Sequence, residues 1–398
     1  MTEGVEIREP SGEGEARQAW QMLSRAFNWP AADEDKFVEG LGPLERCQVA
    51  MVGEDVAAFA RVRPFGQFYG GRSVPMAGVS PVGVDPQYRG RGLASQVTAA
   101  HYPILRERGE VISGLYPAST RLYRGVGYEI AGLWAERTIP IRSLQMLPRA
   151  GGVAVRRAST DDIAAIQACY SRVATTEPGW LDRPAVWWKR ILIDPWPDQH
   201  VYVVDSGGGD IAGYVVYRQT PDPGRSWGYT IEVSNLISDD PDAALALWRL
   251  IASSATMVRE VRIIGPVEHP LLLLLPEQDL QPSSELRYML RVVDAAGAVA
   301  ARGYPPVDVV VDLELTDRHC DWNAGRWQLE VIGGRAELLK GGSGGVRMGI
   351  GAFSSLYAGY SSARTLVRAG LLYGASEDEV ADLTTLFSGQ TPWMPDFF

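Results

Sequence analysis

Apolar positions recur at helical spacing near the start of the chain, at Ala16, Ala19, Trp20, Leu23 and Phe27, and predict an amphipathic helix there. The rhythm then turns strand-like. Residues 47–52 and 56–63 read as two strands around the turn Gly53-Glu54-Asp55, and a longer strand over 74–84 stops at Asp85-Pro86. After a stretch that alternates glycine and arginine, Leu93, Val97, Ala100 and Ile104 share a helical face, and Gly109 is placed to end that helix. A strand over 111–116, a short helix around Leu122 and Tyr123, and a strand over 134–139 complete a first unit.

A second stretch, roughly 150 to 290, repeats this order. A strand over 153–157 precedes Ser159, which caps a helix with Ile163, Ile166, Cys169 and Tyr170 on one face. Strands 200–205 and 211–218 form a hairpin around Gly207-Gly208-Gly209. A strand over 230–237, a helix over 241–255 with Ala244, Leu247, Trp248 and Ile251 inward, and a strand over 260–264 follow. The shared order points to an internal duplication. The copies differ where the first has its Gly/Arg loop, because the second has Ser238-Asp239-Asp240-Pro241. From 291 on, strands over 307–315, 327–332, 336–340 and 346–350 precede helices over 351–358, 363–369 and 377–386. Gly341-Gly342-Ser343-Gly344-Gly345 reads as a hairpin connector between the last two strands. The expected fold class is α+β (α/β mixed), in three units: 1–148, 149–290 and 291–398.

A chain of 398 residues fits two to three domains and buries a full core without disulfide or metal staples. Its three cysteines and four histidines are scattered, so neither a disulfide framework nor a structural zinc organises the fold. Forty-eight acidic against 38 basic side chains leave a net charge of −10, which disfavours nucleic acid and anionic membranes as partners. The polar, acidic start is unlike a signal peptide, and the apolar runs at 243–248 and 271–275 are too short to span a bilayer. A cytoplasmic protein is the expectation.

The candidate chemistry lies in VSPVGVDPQYRGRGLAS, residues 79–95. A strand leads into a loop with Arg89 and Arg91 flanked by Gly90 and Gly92, and a helix begins at once. Glycines let backbone amides approach an anion, a helix N-terminus adds partial positive charge, and arginines add charge-assisted contacts. A pyrophosphate fits, and a solvated turn fits the same residues. No Gly-Lys-Ser/Thr follows, so this is not a Walker A loop, and it lacks the three glycines of a dinucleotide fingerprint.

The run Arg89-Gly90-Arg91-Gly92-Leu93-Ala94 resembles the R/Q-x-x-G-x-G/A motif of GNAT acyl-CoA N-acyltransferases. With ASTRLYRGVGY at 118–128, the duplicated second unit and the aromatic last residue, the whole chain resembles the Eis (enhanced intracellular survival) family of acetyltransferases. The resemblance implies two tandem GNAT-fold domains, the second without a coenzyme site, and a C-terminal sterol-carrier-like domain. It implies acetyl-CoA as cosubstrate, no metal, a small-molecule amine as acceptor, direct transfer in a ternary complex, and a homo-oligomer, a hexamer. Val82, Gly83 and Val84 would hold the pantetheine arm and Arg89, Gly90, Arg91, Gly92, Leu93, Ala94 and Ser95 the pyrophosphate. Ala118 and Ser119 would flank the arm. Tyr123 would protonate the leaving thiolate, and the carboxylate of Phe398 would take the amine proton. From the residues alone, Tyr123 reads as a half-buried aromatic on a short helix, and Phe397 and Phe398 also read as anchors for the tail. An α-carboxylate near pKa ~3.5 is a weak base that needs burial or a bridging water. The expected acceptor mouth, near Phe27, Asn28 and Trp29, is apolar and neutral, so a polycation is not the obvious substrate, although Asp33 and Asp396 could add charge. Phe353, Leu356, Tyr357, Leu366 and Leu371 are the apolar anchors of the third unit. They leave a second function open, a lipid or acyl-CoA carrier.

Overall fold

The computed structural model describes residues 4–398 except 150, 208, 223, 225 and 226, so Gly208 of the expected turn lies outside the described residues. The first helix, Glu13–Phe27, buries Ala16, Ala19, Trp20, Met22 and Leu23 against Val49, Met51 and Phe59. It ends at Asn28, whose φ of 54° is left-handed. Strands Val5–Arg8, Cys47–Val52, Asp55–Tyr69, Arg72–Val84 and Ile112–Leu115 lie side by side in that order. Asp55–Tyr69 runs on through Pro64, where the sequence pattern breaks. Beyond the Cys47–Arg61 pair that side has no partner until Gly66 and Gln67 meet Asp182 and Leu181, so the proline sits at a local edge.

The two repeats are not separate sheets. Strand Gln281–Val292, from the end of the second, inserts between Ile112–Leu115 and Glu129–Pro140 of the first, and Glu129–Pro140 in turn pairs with Glu260–Ile264. The order continues through Tyr229–Ser238, Asp210–Pro221, His200–Gly207 and Val155–Arg157, giving a single 13-stranded sheet among the described residues. Gln281–Val292 is absent from the sequence reading. Its signal is the alternation Leu286, Tyr288, Leu290, Val292, which dissolves in a run buried from Tyr288 to Val292.

The third unit has a sheet in the order Arg335–Lys340, Gly325–Ile332, Val309–Thr316, Val346–Gly349, Leu372–Tyr373. The glycine-rich turn at 341–345 is therefore not a hairpin connector. It crosses to the far side of Val309–Thr316, held by the Asp312 carboxylate, which accepts from the Ser343 N–H at 2.7 Å. Helices Ile350–Ala358, Ala363–Arg368 and Glu377–Phe387 cover the sheet. Phe353, Leu356, Tyr357 and Leu366 fill one core with Phe65, Met76, Ile112 and Leu290 of the large sheet, whereas Leu371 is exposed.

Two buried imidazoles make the fold acid-sensitive. His101 bonds the Val97 carbonyl through Nδ1 at 2.9 Å, and the His269 Nδ1 accepts from the Leu271 N–H at 3.1 Å. Burial pushes both down to about 4. Unfolded, each takes up its proton near pH ~6.5, so stability present above that pH drains away as the pH falls toward about 4. Each contributes a loss of about 3 kcal/mol over that window. His269→Asn, which keeps an acceptor for Leu271, should flatten the fall in unfolding midpoint between pH ~6.5 and ~4.5. An unaltered pH profile would contradict the assignment to His269.

Candidate active site

Arg72–Val84 and Ile112–Leu115 run parallel, but they pair only where Met76–Gly78 meets Ile112–Gly114. Past Gly78 the longer strand continues to Val84, and a V opens between the two. Val82, Gly83 and Val84 pair with Ala60, Phe59 and Ala58 on one side, and the alternate backbone N–H and C=O groups point to the opening, an unfilled strand edge. Gly83 leaves no room for a side chain, because a Cβ there would come within 2.5 Å of Leu23. A cavity of about 470 Å³ fills the V, lined by Val82, Gly83, Val84, Arg89, Gly90, Gly92, Leu93, Ala94, Ser95, Ala118, Ser119 and Tyr123, with Phe27 at its rim. Among the expected coenzyme residues Arg91 stands apart, its guanidinium 5.7 Å from the ring centre of Tyr88.

The loop is set by short-range chemistry. The Asp85 carboxylate accepts from the Gln87 N–H at 3.2 Å and is paired with Arg25 at 2.7 Å. Gly90 and Gly92 adopt φ of 80° and 74°, the left-handed region open to glycine. The helix Leu93–Ala99 starts at Gly92 and continues, through a helical Ala100, into His101–Glu107. Its unpaired first N–H groups point toward the loop.

Tyr123 sits on helix Thr120–Gly125 with its ring edge-on to Tyr128 at 5.8 Å. Burial pushes its phenol up to about 12. The accompanying Gly127 and Tyr128 serve packing. Gly127 has φ of 90°, and a Cβ there would lie 1.7 Å from Nη1 of Arg291, a buried side chain paired with Asp317 at 2.8 Å. The Tyr128 hydroxyl bonds Ser113 Oγ at 2.7 Å.

The chain end crosses both repeats to reach this site. Pro392 and Met394 bond the backbone of Leu133 at 3.0 and 2.9 Å. Asp396 is buried, its carboxylate accepting from Arg183 Nε at 3.0 Å and Trp187 Nε1 at 2.9 Å, while its carbonyl accepts from the Tyr116 hydroxyl at 2.7 Å. Asp396 is thus committed to the tail, and Asp33 pairs with Lys36 at 3.2 Å. The Phe398 ring, 7% exposed, lies among Phe65, Tyr116 and Trp187 with ring centres 5.1, 5.7 and 6.4 Å away. It passes over Gly78, where a Cβ would be 2.8 Å from the ring. Gly78 is also the last residue before the strands part, so the chain end stands at the vertex of the V. Sequence reasoning missed Phe65, Tyr116, Arg183 and Trp187, which come from separate stretches of the chain and carry no local motif.

The second repeat splays likewise, pairing only Ile231–Val233 with Val261–Ile263, but its gap is different. Trp180, Thr391 and Trp393 line what remains, about 300 Å³. At the helix start Pro241 lacks an N–H and the Asp240 carboxylate already accepts from the Ala243 N–H at 2.7 Å, so a phosphate would meet negative charge there. Cys47, Cys169 and Cys320 are buried, outside the first cleft, with thiols pushed up to about 11 by burial.

Comparison with known proteins agrees with this architecture. Acetyltransferase (GNAT) domain families match residues 6–131 and 179–292, and the sterol carrier protein domain matches residues 295–395. A GCN5-related N-acetyltransferase of Anabaena variabilis is 32% identical, with a TM-score of 0.90 over 99% of this chain and 100% of that one. An uncharacterized N-acetyltransferase of Streptomyces coelicolor is 28% identical over 83% of this chain and 82% of its own length. The N-acetyltransferase Eis of Mycobacterium tuberculosis is 28% identical over 80% and 79%. Two GNAT repeats that share one sheet, followed by a sterol-carrier domain, place the chain in the GNAT family of N-acetyltransferases, within its Eis-like group.

Proposed function

We propose that the chain transfers an acetyl group from acetyl-CoA, held in the first repeat's V, to a primary amine in a single ternary complex. The observation that carries this reading is the meeting, in one cleft, of a glycine loop at a helix start, an unpaired strand edge and Tyr123, with the chain end docked over Gly78 where the two strands part. When bound, the coenzyme supplies an acyl group activated as a thioester. The edge at 82–84 holds the amides of an extended arm as a neighbouring strand would, and the amides around Gly90 to Ser95 cradle phosphates. Tyr123 donates its proton toward the departing sulfur, and the Phe398 carboxylate accepts the amine proton directly or through one water. Attack by the amine on the thioester carbon forms the amide bond and breaks the C–S bond, so no acyl-cysteine is needed. A lipid-carrier role has less support, because the expected tunnel residues Phe353, Leu356, Tyr357 and Leu366 are packed into a shared core.

Release of free CoA from acetyl-CoA on addition of amines, with the acetylated amine seen by mass spectrometry, tests the reading. Absence of release across a broad panel would overturn it. Gly90→Val probes the cradle. A Cβ at Gly90 meets nothing within 4 Å, so the change acts on the left-handed backbone alone. It should weaken coenzyme affinity at least about ten-fold by calorimetry. Unchanged affinity would remove the loop from the site.

A further inference from the structure

Three arginines gather beside the chain end, none of them among the residues that line the coenzyme cleft. Arg61 and Arg63 project from Asp55–Tyr69, the strand that also carries Phe65, a neighbour of the Phe398 ring. Arg61 is 9% exposed, and its Nη2 donates to the Gly40 carbonyl at 2.7 Å, which puts it under the helix Glu34–Gly40. Arg63 is paired across the strands with Gly78, the residue over which Phe398 lies. Arg190, from the second repeat, stands 4.7 Å over the Trp187 ring, and that ring packs edge-on against Phe65 at 5.2 Å.

No acidic side chain among the described residues balances this cluster. The Nε atoms of Arg61 and Arg63 are buried without a hydrogen-bond partner. Burial, then repulsion from Arg61 and Arg190, pushes Arg63 down to about 10. Elsewhere the buried arginines Arg183 and Arg291 each have a carboxylate within 3.0 Å, and the buried Arg302, which has none, is enclosed by the rings of Tyr69, Tyr304, Tyr357 and Phe387. With Arg61 buried, Arg63 half-buried and Arg190 exposed beside them, the grouped cations repel one another, and an anion seated among them relieves both that repulsion and the desolvation of Arg61 and Arg63. A polycation at this place would add to the repulsion instead.

Resting on the acetyltransferase reading, we infer that these three arginines receive an anionic group of the acceptor, so that the preferred substrate is an amine that also carries a carboxylate. Arg61 and Arg63 fix the group from the first repeat, and Arg190 closes over it from the second. The carboxylate of Phe398 shares the vertex, and its need for a cation is separable from substrate binding by kinetics.

Three five-carbon amines of equal reach test this: 5-aminopentanoate, pentylamine and 1,5-diaminopentane, followed by CoA release. The expected kcat/KM is at least ten-fold higher for 5-aminopentanoate than for either of the others, about one bidentate charge-assisted contact. Arg63→Gln should raise KM for 5-aminopentanoate about ten-fold and bring the three amines together. Arg190→Gln, at an exposed guanidinium that the fold tolerates losing, should shift the preference the same way. A preference for the diamine, or a loss in kcat of equal size on all three amines, would overturn the inference; the second pattern would make the cluster a counter-ion for Phe398. Release from none of the three or any other amine would instead overturn acetyl transfer itself.

Discussion

Replacing Tyr123 by phenylalanine is expected to lower kcat at least about ten-fold, with a smaller change in KM for acetyl-CoA. The ring keeps its place against Tyr128, and only the hydroxyl is lost. The departing thiolate must gain a proton or a strong hydrogen bond as the C–S bond breaks, and Tyr123, which lines the cleft, is proposed to supply it. Burial raises its pKa to about 12, so the phenol is fully protonated at neutral pH. That shift has a consequence for pH profiles. A donor lost by ionisation fails only as the pH approaches its own pKa, so kcat should show no fall between pH ~7 and ~9.5. Steady-state rates over that range check both points. Full activity in Tyr123→Phe would remove the residue from the chemistry.

The second large effect concerns stability. Asp396→Ala should destabilise the fold by about 3–5 kcal/mol, because it leaves Arg183 buried with no counter-charge. The side chains of Arg183 and Asp396 are 1% and 3% exposed. The guanidinium also lies 3.9 Å from the ring centre of Tyr170, and its Nη2 donates to Asn235 Oδ1 at 3.0 Å, so Asp396 is its one ion-pair partner among the described residues. Removing both charges, as Arg183→Met with Asp396→Leu, should cost much less than the single change, since no lone ion remains. Denaturant unfolding of the single and double variants measures the difference. Equal losses in both would mean that the tail is held by its apolar contacts and not by the pair. The single variant should also lose activity, because Asp396 fixes the two residues that follow it: its carbonyl accepts from Tyr116, whose ring lies tilted against Phe397 at 4.6 Å.

Much of the site is local in sequence and was legible there. The strand over 74–84, the Gly/Arg loop and the helix beginning at Leu93 are consecutive, so periodicity and turn chemistry place them together without knowledge of the fold. The same holds for Tyr123, Gly127 and Tyr128, although the reason for the glycine is a long-range one, the approach of Arg291. In the third unit the alternating strands and capped helices appear close to where they were expected, apart from the crossing at 341–345. What sequence patterns could not supply is partnership. Gln281–Val292 is exposed up to Arg287 and buried on both faces from Tyr288 on, so it leaves no clean alternation, and its insertion into the first repeat is a choice among sheet edges. Arg61, Arg63 and Arg183 carry no local signal, and only the folded strands and the tail bring them under cover. Asp396 looked like a spare acid for the acceptor and is instead the counter-ion of Arg183.

The central claim is that one of the two GNAT repeats is a working coenzyme site and that the other lost its cradle to Asp240, Pro241 and the tail. Calorimetric titration of the full chain with acetyl-CoA tests this most directly. One binding site per chain, weakened in Gly90→Val, is the predicted result. Two sites per chain, or a single site untouched by Gly90→Val, would contradict it.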